Sequence, residues 1–429
     1  MTQLLRLALA SAWNRRFTLG LTVLALALSV TLLLGVERAR SAARQSFEQS
    51  IAGTDLVVGA RSSPVQLMLY AVFRLGDATR NMQWTSFEAL AAHPAVAWAV
   101  PLSLGDSHRG FPVLGTTRAY FDHFRYGQSR ALVVREGLRF EQLFDAVLGA
   151  EVAEQMGYAL GQTIALSHGS GPLQTLSKAG PGGLPEHADK PFTVVGILAR
   201  TGTPVDRTIH IGLPALEAIH LDWQAGRPIP GLTIPAEFVR KFDLQPKTIT
   251  AGLLGLKSRA GVFQMQRVVN NYPAEALSGV LPGVALDQLW SMVGLVENLL
   301  RAISALVVVM GLSSMVAIVW ASLGERRREL AILRSVGAGP LYIAALLALE
   351  GLMLAGLGAV LGYGLLTGLS LLAAPWIQSN YGLVLPLWAA LQEEMKLLGL
   401  VMLAGLVAAL LPAWAASRMA LADGLTPRL

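Results

Sequence analysis

The sequence contains no cysteine, which excludes disulfide bonds, thiolate metal sites, iron–sulfur clusters and cysteine nucleophiles. Charged residues are also scarce: they make up 14% of the 429 residues, against about 25% in ordinary soluble domains. The phosphate-binding pattern GxxxxGK(S/T) does not occur, and neither do HExxH and GxSxG. We therefore expect no nucleotide hydrolysis by this chain, no catalytic residue, no metal site and no bound cofactor.

Long uncharged runs are what the sequence does have. Four of them contain 20, 22, 24 and 21 residues, at positions 17–36, 302–323, 351–374 and 397–417. A helix of about 20 residues crosses the ~30 Å hydrocarbon core of a bilayer, so four membrane spans are predicted. A cleaved signal peptide is the alternative for the first run, but its apolar region would usually have only ~7–15 residues.

Charge at the ends of these runs predicts their orientation. Residues 1–16, 324–340 and 417–429 together carry nine basic and three acidic side chains, whereas residues 375–396 carry one basic and two acidic ones. Basic loops favour the cytoplasmic side, so both termini are expected in the cytoplasm. This balance matches the net charge of +6, so the basic excess does not indicate nucleic-acid binding.

Helical periodicity continues outside the membrane at two places. Apolar residues recur every three or four positions at Val36, Ala39, Ala43, Phe47 and Ile51, and again at Leu286, Leu289, Val293, Val296 and Leu300. Helices over residues 17–51 and 286–323 would each stand roughly 20–27 Å above the hydrocarbon. We expect a paired stalk; the alternative is two amphipathic helices lying on the membrane surface.

The residues between these helices have the mixed pattern of an α+β domain. Strands are predicted at 55–59, 95–104, 111–114, 163–167, 192–198 and 208–211, and helices at 140–156 and 214–220. Glycine and proline are frequent in residues 168–191, which predicts an exposed, mobile loop. His168 and His187 lie there without ligand spacing, which favours solvated histidines over a metal site.

The most specific segment lies between the second and third runs, where residues 324–351 read GERRRELAILRSVGAGPLYIAALLALEG. Leu330, Leu333 and Val336 would share one face of a short amphipathic helix. The glycines at positions 337 and 339, followed by Pro340, would end it. Such a helix suits docking on a soluble partner; the alternative is a basic anchor without a partner.

Two further features lie in the third apolar run. Glu350 is the only charge between positions 341 and 374, and we expect it at the inner membrane boundary, near the cytoplasmic arginines. Two small-xxx-small steps allow close helix packing, one formed by Gly358 and Gly362 and the other by Gly364 and Gly368. Packing within one chain and a seam between two chains explain these glycines equally well.

Residues 324–351 resemble the signature of the FtsX-like permease family, which includes MacB-type efflux transporters, the lipoprotein-releasing permeases LolC and LolE, and the cell-division protein FtsX. Residues 147–169 and 192–219 resemble the MacB-type periplasmic core. Residues 412–425 resemble the terminal motif of the family, although the usual proline near Ala420 is missing. The implied fold is an α-helical membrane protein with four spans and a large α+β extracytoplasmic domain between the first and second.

The resemblance implies a type VII ABC transporter permease, a mechanotransmission protein of the bacterial inner membrane. The chain would form a homodimer, or a heterodimer with a related permease, and would bind separate ATPase subunits that hold ATP and Mg. A periplasmic adaptor, lipoprotein or binding protein and membrane lipids are compatible partners. The residues expected to contact the ATPase are Arg326, Arg327, Glu329, Leu330, Leu333, Arg334, Gly337 and Ala338.

The expected organisation follows from these elements. The segments are 1–36 (N-terminus and first span), 37–52 (stalk), 53–284 (periplasmic core), 285–301 (stalk), 302–323 (second span), 324–340 (coupling helix), 341–374 (third span), 375–396 (periplasmic loop), 397–417 (fourth span) and 418–429 (C-terminus). ATP hydrolysis by the partner would move the periplasmic domain, for export or extraction of a substrate. The alternatives are an FtsX-type regulator of a periplasmic enzyme and a solitary receptor without an ATPase. The cargo stays open among lipoprotein, lipid, peptide, siderophore or metal complex, and drug.

Overall fold

A computed structural model describes residues 16–168, 187–224, 227–229, 234–325, 327–381 and 391–418. The chain divides into two compact units. We call the first the membrane unit; it contains Met1–Ala43, Val293–Trp376 and Leu385–Leu429. We call the second the sheet unit; it contains Arg44–Met292 and Ile377–Val384. The predicted loop at 169–186 and the terminal motif beyond position 418 lie outside the described residues.

The helices alternate between short elements and four long ones. In chain order they are α1 (Arg16–Gln49), α2 (Pro64–Ala71), α3 (Trp84–Ala91), α4 (Ala119–His123), α5 (Ala150–Met156), α6 (Leu213–His220), α7 (Val262–Asn270), α8 (Pro282–Glu325), α9 (Arg327–Ser335), α10 (Pro340–Tyr381) and α11 (Leu391–Ser417). In the described part of the chain, α1, α8, α10 and α11 have the length and hydropathy to cross a membrane. The prediction of four spans is therefore confirmed.

Close packing at small residues joins α10 to α1. A Cβ atom added to Gly358 would lie 2.7 Å from the Leu26 Cβ, and one added to Gly362 would lie 2.6 Å from the Ala27 carbonyl oxygen. This pair of glycines therefore packs within one chain. By contrast, among the described residues, leaving aside the backbone of the same helix and the chain neighbours, no atom lies within 4 Å of the positions that a Cβ would take on Gly364 and Gly368.

Glu350 is buried within the membrane unit, with 3% of its surface exposed. Its neighbour Gly351 lies so close to α11 that an added Cβ would be 2.4 Å from the Ala409 Cβ. The backbone of α10 next to Glu350 therefore packs closely against α11. Its expected position at the inner membrane boundary stays a prediction.

Contacts between α1 and α8 beyond the uncharged runs agree only in part with the predicted apolar stripes. In the membrane unit, Arg40 Nη1 lies 3.9 Å from Glu297 Oε2, and Arg301 Nη2 lies 3.5 Å from Glu37 Oε2. Ion pairs thus connect α1 and α8 next to the uncharged runs. Farther along the chain, in the sheet unit, Phe47 and Ile51 pack in the same apolar cluster as Leu286 and Leu289, so the predicted apolar contact is confirmed there. Val296 and Leu300, assigned to the predicted apolar stripe, are 54% and 44% exposed, and Ile51 lies beyond the end of α1. Charged side chains cover one side of this helix pair, and part of its apolar surface is left uncovered within the chain.

The sheet unit is built on one large mixed sheet. Its strands are β1 (Leu56–Ala60), β2 (Val96–His108), β3 (Phe111–Thr116), β4 (Val134–Gly137), β5 (Asp145–Leu148), β6 (Thr163–Ile164), β7 (Ser167–His168), β8 (Phe192–Leu198), β9 (Ile209–Gly212), β10 (Ala251–Leu256) and β11 (Leu277–Val280). The order is β11–β1–β10–β2–β3–β9–β5–β8–β4, with β7 on β2 and β6 on β8. Pairing is antiparallel except for β9 with β3 and β5 with β8. The predicted α+β class is confirmed.

The predicted helix at 140–156 is wrong in its first half. Residues Asp145–Leu148 form β5 between β9 and β8, and the helix begins only at Ala150. All four residues of β5 are buried. A short run buried on both faces has no alternation, so its periodicity cannot distinguish a strand from a helix.

Candidate partner-docking site

The helix α9 lies in the loop between the second and third candidate spans. Leu330 is 6% exposed and packs with the ends of α8, α10 and α11, and Leu333 packs against the same apolar cluster. The cluster consists of Leu323, Leu330, Ile343, Leu347, Ala413 and Ala416. One short helix thus contacts the ends of three long ones.

A glycine ends α9 sharply. Gly337 has φ +100°, the left-handed region that glycine adopts most readily. The Gly337 amide donates to the Arg334 carbonyl over 3.0 Å, and the Ala338 amide donates to the Leu333 carbonyl over 2.9 Å. These two bonds are those of a Schellman motif. They satisfy carbonyl groups at the helix end and fix the direction in which the chain enters α10.

Arg334 connects this helix to the end of the last span. Its Nη2 donates to the carbonyl oxygen of Ser417, the last residue of α11, over 2.6 Å. A cation at a helix C-terminus also interacts favourably with the partial negative charge there. The predicted coupling helix is therefore fixed to α11 through a side chain, in addition to its apolar face.

Three apolar side chains of this region point to solvent. Ile332 is 52% exposed, Val336 83% and Leu341 85%. We call these residues the apolar patch. Val336 was predicted to share one helix face with Leu330 and Leu333; instead it follows the last helical residue, in the turn that Gly337 completes. Ile332 and Val336 lie before the third candidate span, where exposed apolar surface often indicates a binding site, and Leu341 lies at the start of that span.

The structure describes the remaining predicted contact residues to different extents. Glu329 lies in the first turn of α9 with an exposed side chain. Arg327 begins the helix, but only its backbone is described, and Arg326 lies outside the described residues. The structure thus places Glu329, Leu330, Leu333, Arg334, Gly337 and Ala338 on one short segment.

A buried ion pair that the sequence did not predict lies elsewhere in the membrane unit. Arg38 donates through Nε to Glu394 Oε1 over 2.7 Å and through Nη2 to Oε2 over 2.8 Å. Its Nη1 also donates to Ser370 Oγ over 3.1 Å. This guanidinium therefore joins α1, α10 and α11. No sequence signal pairs these residues, because 356 positions separate Arg38 from Glu394.

A second missed cluster lies in the sheet unit. Potential metal-ligand atoms of Asp106, His187 and His220 all lie within 4.8 Å of one another. His187 is fully buried, so the prediction of a solvated histidine is wrong for this residue. Only the backbone of His168 is described, where it pairs with Asp106. Burial lowers the pKa of His220, but Asp106, the Leu216 carbonyl and Glu217 together more than offset this, so the pKa of His220 lies above its ordinary value.

Glu151 and His210 are further buried titratable groups of the sheet unit. Burial raises the pKa of Glu151 to about 7, although Arg207 Nη1 lies 3.0 Å from its Oε1 and opposes the shift. Burial lowers the pKa of His210 to about 3, and the charge of Arg74 acts in the same direction. Desolvation thus favours the neutral form of both groups.

Comparison with known families assigns both parts of the chain. Residues 301–424 match the FtsX-like permease C-terminal family, and residues 19–232 match the MacB-like periplasmic core domain. Comparison with curated proteins gives no match.

Two solved structures resemble the described chain. The periplasmic region of MacB from Actinobacillus actinomycetemcomitans has 9% identity and a TM-score of 0.33, over 56% of this chain and 94% of that one. The extracellular domain of the noncanonic ABC-type transporter YknZ from Gram-positive bacteria has 12% identity and a TM-score of 0.29, over 53% of this chain and 99% of that one.

Proposed function

We propose that this chain, which belongs to the FtsX-like, MacB-type family of ABC transporter permeases, transmits ATP-driven movement from a separate ATPase subunit to its MacB-like domain. The movement would drive export or extraction of a substrate from the inner membrane or the periplasm. The observation that carries the proposal is the apolar patch beside a rigidly capped helix at the ends of three spans. The proposal places α9 and both termini in the cytoplasm, the side that the basic loops favour.

The apolar patch supports a docking role because it is separate from the face that holds α9 in place. Leu330 is buried against the spans, whereas Val336 is 83% exposed. A partner could therefore cover Val336 without displacing Leu330. The Schellman turn at Gly337 holds both faces in a fixed relation, which is needed if a partner's movement is to move the spans.

Transmission to the other side of the membrane is supported by the continuity of two helices. The helix α1 has 34 residues and α8 has 44, so each extends well past the ~20 residues needed to cross the bilayer. Ion pairs between Arg40 and Glu297 and between Arg301 and Glu37 connect these helices beyond the uncharged runs. The spans themselves contain few polar residues, which favours mechanical transmission over passage of a polar substrate between them.

An uncovered stripe on α8 supports a second copy of the permease as a partner. Leu295 is 70% exposed and Leu299 is 56% exposed, and both precede the uncharged run that begins at position 302. Outside the bilayer, such a stripe favours burial against another protein. We infer a dimer of this chain, or a pair with a related permease, whose two copies meet along this part of α8.

The proposal is tested by copurification with the ATPase from native membranes. Reversing charge in the coupling helix, as in Arg327→Glu with Arg334→Glu, should abolish recovery of an ABC ATPase. Undiminished recovery would contradict the proposed contact. Because Arg334 also bonds to Ser417, the variant must first show the elution volume and melting temperature of the unchanged protein.

Regulation of a periplasmic enzyme is the second function that the same machinery supports, because a moving domain can act on a bound enzyme without moving a substrate. The purified complex distinguishes the two functions when ATP is added to proteoliposomes. Displacement of a lipid, lipoprotein or drug supports transport. Activation of a bound periplasmic hydrolase without displacement supports regulation.

A further inference from the structure

A histidine and carboxylate cluster lies in the sheet unit, apart from the docking site described above. Asp106 is near the end of β2, His220 ends α6, and His187 precedes β8. His220 Nε2 lies 3.5 Å from Asp106 Oδ2, and the ligand atoms of all three residues lie within 4.8 Å of one another. We propose that Asp106, His187 and His220 form a binding site for a divalent transition metal, with Zn²⁺ preferred.

The distances suit a small tetrahedral ion. Ligand atoms bound at about 2.1 Å in a tetrahedron are separated by about 3.4 Å. The separation of 3.5 Å between His220 and Asp106 already meets this requirement. The rings of His187 and His220 have centroids 5.3 Å apart and an interplanar angle of 83°. They do not stack, and small side-chain rotations would bring the third ligand to the same distance.

The ligand types decide the class of metal. Imidazole nitrogen is a ligand suited to zinc, copper, iron and nickel, whereas magnesium and calcium prefer sites made of oxygen ligands. Two histidines and one carboxylate therefore select a transition metal. Three protein ligands leave a fourth position for water or an external ligand, as in zinc sites that exchange a ligand.

Burial and charge both favour a cation at this place. Asp106 is 2% exposed and His187 is fully buried. Protonated His220, with Nε2 at 3.5 Å, is a charge partner of Asp106, and a bound cation would supply the same compensation with His220 neutral.

An aromatic neighbour packs against one of the ligands. The Trp223 ring centroid lies 3.9 Å from that of His187. The His187 amide also donates to the Leu166 carbonyl over 2.7 Å, which fixes the backbone at the start of this segment. The two contacts place the His187 imidazole beside Asp106 and His220, from where a small rotation would complete the site.

Zn²⁺ titration of the full-length chain in detergent, after chelator treatment, tests the site. We expect one Zn²⁺ per chain at this site, with affinity measured by competition against a chromophoric chelator. Asp106→Asn, His187→Gln and His220→Gln should each weaken binding by about 100-fold or more. The control is His123→Gln, because His123 stacks on Trp98 and is not part of the cluster. Equal affinity in the cluster variants, or no binding by the unchanged protein, would overturn the proposal.

A spectroscopic measurement guards against loss of folding in the variants. Co²⁺ added to the unchanged chain should give the strong visible absorption of a low-coordinate site with nitrogen ligands. His220→Gln changes the most exposed ligand, whose side chain is 30% exposed, and should remove that absorption while the melting temperature without metal is retained. Co²⁺ absorption that persists in a folded His220→Gln protein, or is absent from the unchanged chain, would contradict the site.

Discussion

Replacing Glu394 with glutamine should destabilise the membrane unit by about 3–5 kcal/mol. The carboxylate accepts two hydrogen bonds from Arg38, at 2.7 and 2.8 Å, and the two side chains are 3% and 1% exposed. In the variant, the guanidinium would remain buried beside Ser370 Oγ, Tyr363 and the new amide oxygen, but it would lose the negative charge that now pairs with it. Most of the expected loss of stability thus comes from a buried charge without its partner, and the lost hydrogen bond contributes little to it.

The double variant makes this reasoning testable. Replacing Arg38 and Glu394 together with methionine removes both charges and should leave stability within about 2 kcal/mol of the original. We expect Glu394→Gln to lower the melting temperature in detergent by roughly 5–15 °C, and the double variant to recover most of that loss. If the single variant is as stable as the unchanged protein, or the double variant is less stable than the single one, the buried pair does not act as described.

Three further perturbations follow from particular contacts. Gly362→Ala should lower the free energy of unfolding by about 1–3 kcal/mol, because the new Cβ would lie 2.6 Å from the Ala27 carbonyl oxygen. The matched control Gly364→Ala, whose Cβ would meet no described atom within 4 Å outside its own helix backbone and chain neighbours, should melt at or above the original temperature. Equal losses of stability in the two variants would contradict the close packing of α10 on α1 at Gly362. Because burial raises the pKa of Glu151 from 4.5 to about 7, the free energy of unfolding should fall by at most about 3 kcal/mol as pH rises from 4.5 to 7. Glu151→Gln should flatten this pH dependence in thermal unfolding. Parallel pH profiles of the variant and the unchanged protein would refute the prediction. Gly337→Ala forces a Cβ into φ +100° and should cost about 1–2 kcal/mol, with weaker ATPase copurification; unchanged melting and copurification would show that the cap is not required.

Composition and periodicity predicted the membrane part because its signals are long and local. Each span is an uncharged run, and the bilayer requires little beyond length and hydropathy. The end of α9 was equally predictable from the sequence, since Gly337 and Pro340 form a local stop signal. Contacts between distant helices were not readable, and the pairing of Arg38 with Glu394 became visible only once the helices were assembled.

The strands of the sheet unit were predicted less completely, for two physical reasons. Strand β5 is buried on both faces and lacks alternation. Strand β10 contains glycines, which are depleted in strands. A Cβ on Gly255 would lie 2.1 Å from the Trp98 ring, so the glycine here makes room for an aromatic side chain across the sheet. Neither reason can be recovered from a local window of sequence.

The cluster of Asp106, His187 and His220 was missed because its members are far apart in sequence. His187 follows a stretch rich in glycine and proline, where a histidine ordinarily faces solvent. Its burial depends on Trp223 and on strands from other parts of the chain. A metal site assembled from three separate elements has no ligand spacing in the sequence that could have indicated it.

The central claim is that an ABC ATPase docks on the apolar patch, and one paired substitution tests it most directly. Val336→Glu places a charge on a residue that is 83% exposed, so folding should be unaffected. Leu138→Glu is the control, because Leu138 is 71% exposed in the sheet unit, outside the proposed docking surface. The recovered ATPase is quantified by mass spectrometry after affinity purification from native membranes. The account predicts loss of the ATPase with Val336→Glu and full recovery with Leu138→Glu; equal recovery with both would contradict it.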